Sequence, residues 1–125
     1  MIVTRDRVVE VTKQVVAEHG MEHVYEKPMV NRLGGEMAMC LYVHNGRPSC
    51  LVGHVLHRLG VPLDVLAQGD DQSQDASSMC YEVLYNTDFA DEMIASFLST
   101  VQATQDAGYT WGYALESGLK LLAEI

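Results

Sequence analysis

The sequence predicts a helix-rich α+β fold, with five or six helices around one core and a short β-hairpin near residues 36–48. Three observations carry that expectation. Apolar residues recur at helical spacing in several stretches, among them Val8, Val11, Val15 and Val16, and later Ala90, Met93, Ile94, Phe97, Leu98 and Val101. Between Met37 and Val43 the period falls to two, as in a strand with two partly apolar faces. Asn45-Gly46 comes next, a pair that accepts the positive φ angles of a type I′ turn. With 125 residues, 48% hydrophobic and 20% charged, the chain suits one domain spanning 1–125.

Taken in order, Thr4 is placed to cap a helix running to His19, with Gly20 as its left-handed stop. Residues 22–26 read as extended, and Lys27-Pro28 separates them from the next segment. Met29 to Gly35 reads as a loop and Met37 to Val43 as the strand. Pro48 has no N–H to donate, so the returning arm of the hairpin is a stub. Ser49 is the expected N-cap of a helix with Leu51, Val52, Val55, Leu56 and Leu59 on its buried side, ended by Gly60. Pro62 opens a brief helix to Ala67, and the polar residues 68–74 read as an exposed loop. Asp75 caps a helix with Ala76, Met79, Cys80, Val83 and Leu84 on one face. Thr87 or Asp88 starts the longest helix, which Gly108 ends, and Thr110 opens a last one with Trp111, Leu115, Leu119 and Leu122 aligned.

Composition excludes some functions. The net charge is −9, and it is unevenly spread: residues 61–125 carry eleven acidic residues against Lys120 alone, whereas residues 1–60 are nearly balanced. Gripping nucleic-acid phosphates needs clustered Lys and Arg, so direct nucleic-acid binding is not expected. Acidity of this kind serves solubility, or offers a surface to a basic partner; DNA mimicry would need denser carboxylates. No apolar run approaches the roughly 20 residues of a membrane-spanning helix. The charged N-terminus lacks the apolar core of an export signal, and three cysteines, an odd number, suit reduced thiols. The expected location is the cytoplasm.

Two constellations could carry chemistry. Cys50, His54 and His57 fall at i, i+4 and i+7, which places them on one helix face. At a helix start the thiol of Cys50 would be acidified by the dipole, and with His54 would form a nucleophile–base pair. Adding Cys40 gives a donor set of Zn²⁺ type, Cys40, Cys50, His54 and His57, though its spacing matches no standard zinc template. Equally, Cys40 and Cys50 could pack together under the turn as small hydrophobes, with Gly53 permitting close backbone contact. The second constellation lies in the acidic half: Tyr81, Tyr85, Asp88, Asp91, Glu92 and Trp111 combine residues favoured at interface hot spots with negative charge.

The segments Gly46-Arg47-Pro48-Ser49-Cys50-Leu51-Val52-Gly53 and Gln105-Asp106-Ala107-Gly108-Tyr109-Thr110-Trp111-Gly112-Tyr113-Ala114-Leu115 resemble small uncharacterised proteins encoded by actinobacterial phages and their hosts. The resemblance implies a phage accessory protein in the bacterial cytoplasm, of a kind that binds and redirects a host protein. It carries no catalytic residues with it. The expected function is therefore a cofactor-free interaction protein, possessing a host or phage protein partner or forming a homo-oligomer. The alternative is a Zn²⁺-binding or Cys/His enzymatic site on the 50–59 helix.

Overall fold

Thr4 caps the first helix as expected: its Oγ1 accepts the Arg7 backbone N–H at 3.1 Å at the start of α1, Arg5–His19. The structure, a computed structural model, describes residues 2–32 and 34–123. Val8, Val11, Val15 and Val16 are buried along α1, and Gly20 ends it at φ 103°. Thr12 is buried among them because its hydroxyl donates to the Val8 carbonyl one turn back, at 2.7 Å. The helix-rich α+β class holds: six α-helices and two small antiparallel hairpins are present among the described residues.

The first hairpin corrects the sequence reading. β1, Met29–Arg32, pairs with β2, Gly35–Ala38, where a loop and the start of a longer strand were expected. The alternation from Met37 to Val43 does not mark one continuous strand. β2 is exposed along its length, and the chain leaves it at Met39 so that Leu41 and Tyr42 can enter the core. The second hairpin is the expected one, with β3, Val43–His44, against β4, Arg47–Pro48. Asn45 and Gly46, at φ 54° and 74°, form its type I′ turn.

α2 spans Leu51–Arg58, and its cap is Cys50, not Ser49; Cys50 Sγ accepts the Gly53 N–H at 3.4 Å. Ser49 is occupied elsewhere, its hydroxyl hydrogen-bonded to Tyr25 and its N–H to the Tyr42 carbonyl. Gly53 is there for contact: a Cβ on it would lie 2.3 Å from the Tyr42 carbonyl oxygen. α3, Leu63–Asp71, runs on through residues expected in an exposed loop. Two contacts hold that extension. Gly69 is buried against Met79, and the Asp70 carboxylate accepts the N–H groups of Tyr42 and Val43 at 2.8 and 3.0 Å.

Asp75 caps α4, Ala76–Ser78, by accepting the Ser78 N–H, and the chain then widens into a π-helical turn, Met79–Val83. Ala76, Met79, Cys80 and Leu84 still face the core. The long helix α5, Glu92–Asp106, starts later than Thr87 or Asp88 predicted, because Asp91 is its cap and Phe89 must first be buried. Thr87 instead stabilises the turn before it, donating to the Leu84 carbonyl and accepting from the Phe89 N–H. Ala90, expected on the buried face, is exposed. α6, Trp111–Ala123, packs on α5 with Gly118 tight against Phe97 and Val101. One apolar core runs from Val3 to Leu115.

Candidate functional site

The four residues of the Cys/His constellation do not share one environment. Cys40 and Cys50 are brought together, close enough for Cys40 to act on the Cys50 thiol. Backbone pairing explains it: the Cys50 N–H donates to the Leu41 carbonyl at 2.9 Å, beside Cys40. Cys50 is fully buried and Cys40 half-buried. The expected acidification of Cys50 is reversed. Burial pushes its thiol well up, and the neighbouring Cys40 adds to the rise, outweighing the Gly53 N–H that lowers it. A nucleophilic thiolate poised by the helix start therefore does not arise at Cys50.

His54 and His57 turn to other partners. His57 Nδ1 lies 3.1 Å from the Val61 carbonyl and closes the end of α2. The His54 ring lies in a cluster that sequence spacing did not reveal, with His19 at 4.7 Å and Trp111 at 5.8 Å between ring centroids. His23 completes it, 4.5 Å from Trp111 and 5.7 Å from His19. Burial holds the His54 imidazole neutral, its pKa down to about 4, and the neighbouring His19 and Arg58 charges act in the same direction. Among the described residues no three His, Cys, Asp or Glu side chains converge as a metal-holding group.

A buried polar layer ties these elements to the C-terminal half. Gln105 Oε1 accepts the Leu51 N–H at 2.9 Å and its Nε2 donates to Asp106 at 2.8 Å, with a longer contact to Cys40 Sγ. Gln102 Oε1 accepts the Ala76 N–H at 2.6 Å, and its Nε2 donates to the Tyr42 hydroxyl. The polar layer borders a cleft of about 230 Å³ lined by Cys40, Asp70, Asp75, Gln102 and Asp106 among others. Neither glutamine was legible as functional, because each falls within the apolar periodicity of α5 and its partners lie far away in sequence.

The tyrosine and carboxylate constellation divides differently. Trp111, expected on the surface, is 1% exposed and belongs to the core, as its place in the Leu115 stripe also implied. Tyr81 and Tyr85 are 46% and 65% exposed, while Leu84 and Phe89 between and beyond them are buried. Glu82, Asp88 and Glu92 are exposed on the same segment. Asp88 accepts the Val3 N–H at 2.8 Å. Asp91 caps α5 and pairs with Arg5, and its carboxyl is held below the usual range by the Ile94 N–H first and Arg5 second. Asp88 and Asp91 thus anchor the segment, and Glu82 and Glu92 face outward.

No known protein family, curated protein or solved structure matches the chain. No helix among the described residues is long and apolar enough to cross a membrane.

Proposed function

We propose that this chain is a small accessory protein that acts by protein–protein interaction, offering the surface of residues 81–92 to a basic partner. One observation carries the proposal. Tyr81 and Tyr85 are held out of the core on a segment whose neighbours Leu84 and Phe89 are locked into it. A tyrosine carried on an anchored backbone offers a large contact area with few rotatable bonds to order on binding, which is what makes it effective at interface centres. The exposed carboxylates Glu82 and Glu92 on the same segment select a partner of opposite charge and speed its approach. A second copy of the chain would bring the same excess of acidic residues, so a basic heterologous partner suits the surface better than self-association.

On this proposal the protein needs no cofactor and does not bind nucleic acid directly. It works in the bacterial cytoplasm on a host or phage protein, in keeping with the resemblance to phage-encoded proteins and with three free thiols. The Zn²⁺ or Cys/His alternative is less well supported, since the four residues part into a thiol pair, a histidine–tryptophan cluster and a helix-end contact.

Capture from a bacterial lysate, run in parallel with the Tyr81→Ala/Tyr85→Ala variant, tests this. The expected result is a basic protein retained by the wild type, released by salt and lost with the variant. Retention of the same proteins by both chains, or of none by either, would count against the proposal.

A further inference from the structure

Cys40 and Cys50 sit on either side of the Asn45-Gly46 turn, and two backbone bonds make them neighbours: Ser49 N–H to the Tyr42 carbonyl and Cys50 N–H to the Leu41 carbonyl, at 2.8 and 2.9 Å. Both are free thiols, and Gln105 spans them, its Oε1 on the Leu51 N–H next to Cys50 and its Nε2 on the Cys40 sulfur. They differ in access. Cys40 lines the 230 Å³ cleft and its Sγ receives the Gln105 Nε2–H at 3.5 Å, whereas Cys50 lies beneath it, capping α2. A half-buried thiol with a donor and an open approach, backed by a neighbouring buried thiol, is the arrangement of an attacking and a resolving cysteine.

We propose that Cys40 and Cys50 are a peroxide-oxidisable dithiol, closing to an intramolecular disulfide through attack by Cys40 from the cleft. Cys40, having lost its proton to solvent, attacks one oxygen of a hydroperoxide. An S–O bond forms, the O–O bond breaks, and the departing hydroxide takes up a proton to become water. Cys50 sulfur then attacks Cys40 sulfur, its proton passing to the leaving hydroxyl, which departs as a second water. Two thiols are oxidised by two electrons in all, and one peroxide is reduced to two waters. Cys50 takes the second role because it is buried and Cys40 lines the cleft, so the oxidant meets Cys40 first.

The oxidant class is set by the cleft walls. Asp70, Asp75 and Asp106 make the approach to Cys40 acidic, so a small neutral hydroperoxide is admitted and an anionic disulfide such as oxidised glutathione is repelled. Disulfide formation also reaches the fold. It takes the Cys50 sulfur from the Gly53 N–H, and the Cys40 sulfur from the Gln105 side chain that holds the Leu51 N–H. The first turn of α2 is therefore where oxidation is felt.

The folded chain is treated with hydrogen peroxide, then unfolded and alkylated. Labelling should fall from three thiols to one, Cys80, with an intact mass two hydrogens lower and a peptide in which Cys40 and Cys50 are joined. Oxidised glutathione at the same concentration should react about tenfold more slowly. Cys50→Ser should stop at a sulfenic acid on Cys40, trapped as a dimedone adduct, and Cys40→Ser should give neither product. Where Cys50→Ser fails to fold, the wild-type labelling still decides. Retention of all three labels under conditions that oxidise the unfolded chain would overturn the proposal. So would loss of the Cys80 label first, disulfides only between chains, or equal rates with the two oxidants.

Discussion

Residues 40–58 and residues 81–92 differ in how they use their chemically capable side chains. In the first region Cys50, Tyr42 and Gly53 are buried against one another, His57 closes a helix end, and His54 is held neutral beside Trp111. In the second, Leu84 and Phe89 supply the anchor and Tyr81, Tyr85, Glu82 and Glu92 are left outside. Reactive residue types thus gather where the fold is made, and ordinary interface residues stand where a partner could reach them. A cluster of cysteine and histidine in sequence is a statement about composition; only burial and hydrogen bonding decide whether it is equipment or scaffold.

Substitutions can break this contrast or sharpen it. The largest effect belongs to Gly53→Ala. Its methyl group would meet the Tyr42 carbonyl 2.3 Å away, and backbone cannot yield cheaply. The collision should cost about 3 kcal/mol in denaturant unfolding, despite the better helix propensity of alanine. Gln105→Met keeps the volume but strands the buried Leu51 N–H, at about 2 kcal/mol by the same measurement. A loss below the error of the method in both would remove the structural role assigned to residues 40–58.

His54 offers a pH test. Its pKa is about 4 in the folded chain against 6.5 for an unperturbed imidazole, so between those values the unfolded chain binds a proton that the folded chain refuses. Its contribution to stability is complete above about pH 6.5 and is lost as pH falls towards about 4. Because the ring is partly exposed, screening reduces the loss to about 1 kcal/mol. His54→Gln should flatten stability across that window, read by unfolding at pH 7 and pH 4.5. Paired carboxylates such as Asp91, whose pKa is lowered, act only further into acid. A slope unchanged by His54→Gln would place the proton uptake elsewhere.

The smallest effect on stability is expected in the second region. Tyr81→Ala and Tyr85→Ala should each alter unfolding by no more than about 0.5 kcal/mol, since neither ring is part of the core.

How much of this was legible depended on how local the cause was. Thr4, Gly20, Asn45-Gly46, Asp75 and Gly108 act on their own few residues, and each does what its sequence position implies. The misplacements came from partners distant in sequence. Ser49 loses the cap of α2 because Tyr25 and Tyr42 occupy it, α3 continues to Asp71 because Tyr42 and Val43 need the Asp70 carboxylate, and α5 waits for Phe89 to be buried. In the candidate site, the nearness of Cys40 to Cys50 was within reach of hairpin reasoning. The gathering of His19, His23 and His54 around Trp111 was not, since it joins α1, the segment after it, α2 and α6. Trp111 itself was placed both in an apolar stripe and on an interaction surface, and packing chose the stripe.

The most direct measurement is the affinity of the captured basic partner for the Tyr81→Ala/Tyr85→Ala chain, made alongside the unfolding free energy of that chain. The division of labour between the two regions predicts at least about a tenfold loss of affinity, with stability preserved to within about 0.5 kcal/mol. Unchanged affinity would contradict it, and so would a loss of affinity that merely tracks a loss of fold.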